Sequence, residues 1–462
     1  MICPTMTRSF FLLAVALAAA GICSAADRPD DKLLQAYGEQ LRQLAPAEHP
    51  ENHQAIAAWC RERHWEAEAA FHDEAAKVHL AAVELQKRRA LVNEGDAGAL
   101  KALLAWAQAN LPARHVAVRP LAEQLLKLDP NCVEAHKALG HLPDGATWAD
   151  PWDLLVKRGG LGNAKVRYEI HQKLSDLYPE PARLYTQAPT AGLATVDPAK
   201  AIADPTWRRL ASLKDPPVGF WRSSFPRRDR LGDVDYLLWV PPAYDAAKAW
   251  PVIVVLHGGG GQGSVEDYLK PPGKTRPDCG RAASYVAVYA NWYPDCGYIV
   301  VAPLVRVDTG GMWFVKENML NVADVVEQVS ASIRIDRRRI YLTGHSAGGW
   351  GATHMSRVFP ELFAAVSIEN GMLYRGGPLG DLTGRAILVF NSGDKGGPMK
   401  NYLDAGCSEA AVVAVPGAPH SIPHEKTKPL LFDFFGRHTS TFAPDLELVR
   451  RLIQESPEEK GP

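Results

Sequence analysis

Ser346 lies in Gly344-His345-Ser346-Ala347-Gly348, directly after the apolar run Ile340 to Thr343. A serine held on a sharp turn between a strand and a helix presents its hydroxyl as a nucleophile. Side chains at Gly344 and Gly348 would run into the neighbouring strand and helix, so glycine is required there for steric reasons. The same turn leaves the Ala347 amide free at the positive start of a helix, where it can donate to an oxyanion. A serine in a purely structural turn explains the pentapeptide alone, and its companions decide between the two.

The first companion is His257-Gly258-Gly259-Gly260-Gly261, after the apolar run Val252 to Leu256. Consecutive glycines let the backbone approach a substrate and aim amides at it, so Gly259 or Gly260 is the expected second oxyanion donor. One such donor contributes about 3 kcal/mol to transition-state stabilisation. A phosphate cradle would need a Lys-Ser/Thr ending, which is missing. His257 is expected to prop the loop rather than react. The general base is expected in a loop after the last strand, Val412 to Val415, which places it at His420, with His424 as the rival. The acid that orients the imidazole should follow the preceding strand, Ala386 to Phe390, which points to Asp394, with Asp404 and Asp381 behind it. Arg306 and Trp313 follow the run Tyr298 to Ala302, whose end borders the crevice of an open α/β sheet. Arg306 suits a substrate carboxylate and Trp313 a sugar or aryl ring; a solvated charge and a packed indole are the competing readings.

Positioning these groups takes a sheet. Short runs that are apolar on both faces recur at Val252 to Leu256, Tyr298 to Ala302, Ile340 to Thr343, Ala364 to Ile368, Ala386 to Phe390 and Ala411 to Val415. They predict a mainly parallel sheet with helices on both faces. Phe220 to Phe225 and Val234 to Val240 suggest an antiparallel pair opening it. Val322, Val325, Val326, Val329 and Ile333 repeat at helical spacing and should pack one face onto the sheet.

Upstream, 27–142 is an all-α, repeat-like region with few glycines. Ala58-Trp59 recurs as Ala105-Trp106. Leu121, Leu125 and Leu128 form one helical stripe, Pro130 ends that helix, and Ala135, Ala138 and Leu139 form the facing stripe. The pattern resembles a tetratricopeptide-type helix-turn-helix. It offers either a docking surface for a protein partner or a spacer packed on the enzyme, and two repeats favour the spacer. His64, His72, His79 and His136 are expected as exposed helix residues. Segment 143–217, with clustered tryptophans and prolines, reads as a partly helical connector; 218–438 is the catalytic domain and 439–462 a polar tail.

Residues 1–26 have the layout of a secretory signal peptide: Arg8, the apolar run Phe10 to Ala20, then Ser24-Ala25-Ala26. An exported protein is expected, with no later stretch apolar enough to span a bilayer. The formal net charge of −1 over 462 residues gives no broad positive field, so nucleic acid is not an expected partner. Export permits disulfides, and Cys279–Cys296 is the pair to test against two buried thiols. No cysteine or histidine spacing suits zinc.

From about Phe220 to Phe435 the chain resembles the esterases grouped with polyhydroxybutyrate depolymerases and feruloyl or acetylxylan esterases. Val240-Pro241-Pro242-Ala243-Tyr244 before Trp250-Pro251-Val252, the glycine loop at His257, Asp336 to Gly344, and Phe359-Pro360-Glu361-Leu362-Phe363-Ala364-Ala365 carry the resemblance. It implies an α/β-hydrolase fold and hydrolysis of small or polymeric carboxylic esters through an acyl-enzyme without a cofactor. The chain departs from the pattern in the glycine-rich segment after Asp394 and in the Pro- and Tyr-rich stretch Lys270 to Pro294, which is expected to overhang the site. Two rival readings remain: a serine peptidase of the prolyl-oligopeptidase type, and an inert hydrolase domain in a binding protein.

Overall fold

Val252, Val254 and Leu256 point to one side of strand β5 (Trp250–Leu256), while Ile253 and Val255 point to the other, and all five are buried. A strand apolar on both faces needs cover on both faces, and the computed structural model supplies it. The structure describes residues 50–64, 66–111, 117–179, 219–226, 233–245, 248–259, 285–286, 288–289, 293, 295–305, 311–371, 382, 384–392 and 399–456, with isolated positions between 36 and 44. A hairpin of β3 (Gly219–Pro226) and β4 (Asp233–Val240) forms one edge of an eight-stranded sheet. Beside β5 run β6 (Ile299–Pro303), β7 (Ile335–His345), β8 (Ala365–Glu369), β9 (Ala386–Asn391) and β10 (Glu409–Ala414). The spatial order is β3-β4-β6-β5-β7-β8-β9-β10, with β5 to β10 parallel and β4 antiparallel to its neighbours. A mainly parallel sheet opened by an antiparallel pair is the expected α/β-hydrolase arrangement.

Helix α8 (Lys316–Ser332) lays Met319, Val322, Val325, Val326 and Val329 into the core on the Val252 side. There it is joined by α9 (Ala347–Val358) through Ala352 and Met355. Helix α10 (Met399–Asp404) precedes β10. On the opposite face α11 (His424–Gly436) buries Leu431, Phe434 and Phe435 against Ile253, Val255, Val300 and Leu388.

The upstream region is helical, with α1 (His53–Arg61), α2 (Glu66–Leu91), α3 (Ala97–Asn110), α4 (Arg119–Leu128) and α5 (Val133–Leu139). Leu121 and Leu125 are buried in its core with Ala135, while Leu128, expected on the same stripe, is 41% exposed because it is the last residue of its helix. The histidine expectation is corrected for two positions. His72 and His136 are buried, since an imidazole can enter a core when its nitrogens find partners. His72 Nδ1 lies 2.6 Å from His53 Nδ1. His136 reaches His141 at 2.8 Å and the Pro130 carbonyl at 2.8 Å, and stacks on Trp148.

The start of the expected connector is ordered: a hairpin of β1 (Leu142–Asp144) and β2 (Thr147–Ala149), then α6 (Pro151–Lys157) and α7 (Ala164–Leu177). The expected polar tail is instead α12 (Leu446–Glu455), whose Leu446, Leu448, Val449, Leu452 and Ile453 are buried. Its charged residues lower the mean hydropathy of the segment and hide an apolar stripe. Leu448 and Leu452 pack with Leu154, Leu155, Ile170 and Leu174, and Val449 and Ile453 join the core beneath α8. Cys296 carries a free thiol that donates to the Tyr298 carbonyl at 3.7 Å, and its candidate partner Cys279 lies outside the described residues. Among the described residues no helix is long and apolar enough to cross a membrane. The leader at 1–26 lies outside them.

Candidate active site

Strand β7 ends at His345 and α9 begins at Ala347, leaving Ser346 alone between them at φ 55°, ψ −116°. This is a conformation that few non-glycine residues adopt. Two close approaches enforce it. A Cβ on Gly344 would lie 2.1 Å from the Gly348 carbonyl oxygen, and one on Gly348 would lie 2.0 Å from that of Leu256. The Ser346 amide donates to the Glu369 carbonyl at 2.9 Å, pinning the elbow to the end of β8. Ala347 is the first residue of α9, so its N–H has no acceptor within the helix and lies at the positive end of the helix dipole.

The glycine loop abuts this turn. Space for a Cβ at Gly258 ends 3.0 Å away at His345 Nδ1, and Gly259 follows at φ 77° with open space around it. His257 is fully buried beneath the loop. Its Nδ1–H donates to the Gly258 carbonyl at 3.1 Å, and its Nε2 accepts the Val305 amide at 3.2 Å. Burial pushes its pKa down to about 4, so the ring is neutral and structural. Trp313 corrects the expectation of a stacking platform. It is 2% exposed, belongs to the main core, and donates its indole N–H to the His257 carbonyl at 3.0 Å. An indole enclosed this way supports the glycine loop and offers no face to a sugar.

His420 follows β10 and is exposed. Its carbonyl oxygen is held by His345 Nε2 at 2.9 Å and by Asn370 Nδ2. The His345 and His420 rings lie 4.9 Å apart. Because His345 donates through Nε2, its Nδ1 is left to accept the Tyr285 hydroxyl. Burial lowers the His345 pKa and keeps this ring neutral as well. Among the described residues no hydrogen bond joins Ser346 Oγ to the His420 imidazole. Such contacts often tighten only with substrate bound. The rival His424 starts α11, with Nε2 3.2 Å from Glu425 and its carbonyl accepting Tyr293.

Asp394, Asp381, Gly260 and Arg306 lie outside the described residues, as does most of the stretch Lys270 to Pro294. Asp404 is an exposed residue at the end of α10. The structure adds groups that the sequence reading missed. Asn370 joins the His420 loop to Ser392. Lys428 on α11 meets Glu369 at 3.3 Å in a buried pair directly behind the elbow. An Asn after a strand reads as an ordinary turn residue, and only the left-handed φ of 45° at Asn370 marks it as special. No three His, Cys, Asp or Glu side chains converge as metal ligands among the described residues.

A protein-family model described as Esterase PHB depolymerase matches residues 308–431, a window that contains Ser346, Asp394 and His420. Among curated proteins, feruloyl esterase B of Talaromyces funiculosus is 26% identical over 30% of this chain and 44% of its own length. Acetylxylan esterase A of Aspergillus ficuum is 29% identical over 18% of this chain and 31% of its own. The chain therefore spans less than half the length of these relatives. Among solved structures, a thermostable esterase shares 22% identity over 48% of this chain and 63% of its own, with a TM-score of 0.38.

Proposed function

We infer that this chain, whose catalytic half belongs to the α/β-hydrolase esterases, cleaves carboxylic esters through an acyl-enzyme formed on Ser346. The observation that carries the reading is the Ser346 elbow, where a nucleophile-bearing residue is held at φ 55° against a helix N-terminus by two glycines that admit no side chain. In the proposed reaction Ser346 Oγ attacks the ester carbonyl while its proton passes to His420 Nε2. Asp394 fixes the imidazole tautomer and stabilises the imidazolium. The oxyanion accepts from the Ala347 amide and from an amide of the Gly259–Gly260 segment. Collapse expels the alcohol, which takes the proton from His420. A water activated by the same imidazole then releases the acid.

The relatives are a feruloyl esterase and an acetylxylan esterase, and the family model is that of polyhydroxybutyrate depolymerases. We therefore place the substrate among acyl esters of carbohydrate, with polyesters second, and read Arg306 as a rim group for a substrate carboxylate. Export is read from the leader pattern at 1–26. We keep the spacer reading for the helices of 27–142; the contact of Arg119 on α4 with Glu447 on α12 at 3.8 Å supports it.

The test is a panel of p-nitrophenyl acetate, methyl ferulate, acetylated xylan and a chromogenic dipeptide, assayed on the full chain and on Ser346→Ala. Ester turnover that falls by about 10⁴-fold or more in the folded variant is expected. Turnover that survives the substitution, or cleavage of the dipeptide alone, contradicts the assignment.

A further inference from the structure

The carboxamide of Asn370 is used at both ends. Its Nδ2–H donates to the His420 carbonyl, and its Oδ1 accepts the Ser392 amide at 2.9 Å and the Ser392 hydroxyl at 3.1 Å. Its own amide donates to the Phe390 carbonyl at 2.9 Å, which fixes the backbone where β8 ends. The second lone pair of the His420 carbonyl is taken by His345 Nε2, so the backbone of the proposed base is gripped from two strands at once. Ser392 stands two residues before Asp394 in sequence. One side chain therefore ties the loop that carries the proposed base to the end of β9. The backbone pays for this placement with φ 45°, which Asn tolerates better than most residues.

We propose that Asn370 is a positioning residue of the esterase reaction, holding the His420 loop against the end of β9 at Ser392 so that the imidazole is presented to the reacting groups. The proposal rests on the Ser346, Asp394, His420 reading given above. Asn370 acts through His420; among the described residues no hydrogen bond joins it to Ser346. Its loss leaves substrate binding intact and misplaces the imidazole that moves the proton, and a misplacement of about 1 Å reduces rate by about 10²-fold. Ordinary loop packing would change stability and leave kcat unchanged in the folded protein.

Asn370→Gly keeps the left-handed backbone and removes both arms of the clamp. Asn370→Asp keeps an acceptor for Ser392 and removes the donor to His420. In the full chain, with an ester that Ser346→Ala no longer turns over, kcat is expected to fall between about tenfold and 10²-fold in both variants. KM should hold. Wild-type kcat in either folded variant overturns the positioning role and leaves the nucleophile assignment standing. A loss of activity that follows melting temperature alone, or failure of both variants to fold, also overturns it, since Asn370 then serves folding only. If Ser346→Ala retains turnover, the triad reading fails and this proposal fails with it.

Discussion

His345 precedes Ser346 in sequence and His257 lies beneath the adjoining glycine loop, yet both are built to stay neutral. Each ring is buried with both nitrogens engaged, and burial lowers both pKa values. That separates them from His420, whose side chain is exposed and which is the proposed base. A linkage prediction follows for His257 and for the buried His53, whose pKa values both fall from 6.5 to about 4. The unfolded chain takes up protons that the native rings refuse, so stability is whole above pH 6.5 and is lost as pH falls towards about 4. His257 alone contributes on the order of 3 kcal/mol across that window. Urea denaturation from pH 7 to pH 4 should show the decline, and His257→Phe should flatten part of it; a stability independent of pH would remove the argument. At this scale the placement of Ser346 and His420 after strand ends was legible, because apolar runs precede both. Trp313 was misread because an indole after a strand carries no sign of which face it shows, and Asn370 was missed because its role depends on two loops remote in sequence.

The strands that place these residues were legible because each is apolar on both faces, and the parallel sheet follows from that. β7 extends further than its apolar run, from Ile335 through Asp336 to Arg339, since Trp250 of β5 pairs with Ile335 across a register shift. The unbroken charged run Asp336 to Arg339 masked the strand there. The elbow itself depends on backbone packing more than on propensity. Gly348→Ala places a methyl 2.0 Å from a main-chain oxygen that no rotamer change can move aside. Overpacking typically costs about 1–3 kcal/mol, and this contact belongs at or above that upper end. We expect Gly348→Ala to lower the denaturation midpoint and abolish esterase activity together. An active variant of wild-type stability would show that the turn is looser than described.

Across the whole molecule, α12 lies between the upstream helices and the hydrolase core. Arg450 on it bonds Asp324 at 2.7 Å and also Glu327, both on α8. Arg167 on α7 meets Glu361 in a pair whose side chains are 4% and 0% exposed. Leaving Glu361 buried without its partner should destabilise by about 3–5 kcal/mol in Arg167→Ala, whereas the double change Arg167→Met with Glu361→Leu should recover most of the loss. Chemical denaturation of the two variants decides this; equal stability of Arg167→Ala and wild type would mean the pair is open to water. The link was illegible in sequence, since the two residues stand 194 positions apart and neither segment marks a partner for its charge. Truncation before Leu446 uncovers Leu154, Leu155, Ile170 and Leu174, and the shortened chain should aggregate on expression.

The central claim is that Ser346 is a live nucleophile. Its most direct test is reaction of the purified full chain with a fluorophosphonate, followed by peptide mass mapping, beside Ser346→Ala. A single phosphonyl adduct on the peptide carrying Ser346, absent from the folded variant, is the predicted result. A folded wild-type chain that takes up no probe, or takes it up equally after Ser346→Ala, would contradict the account.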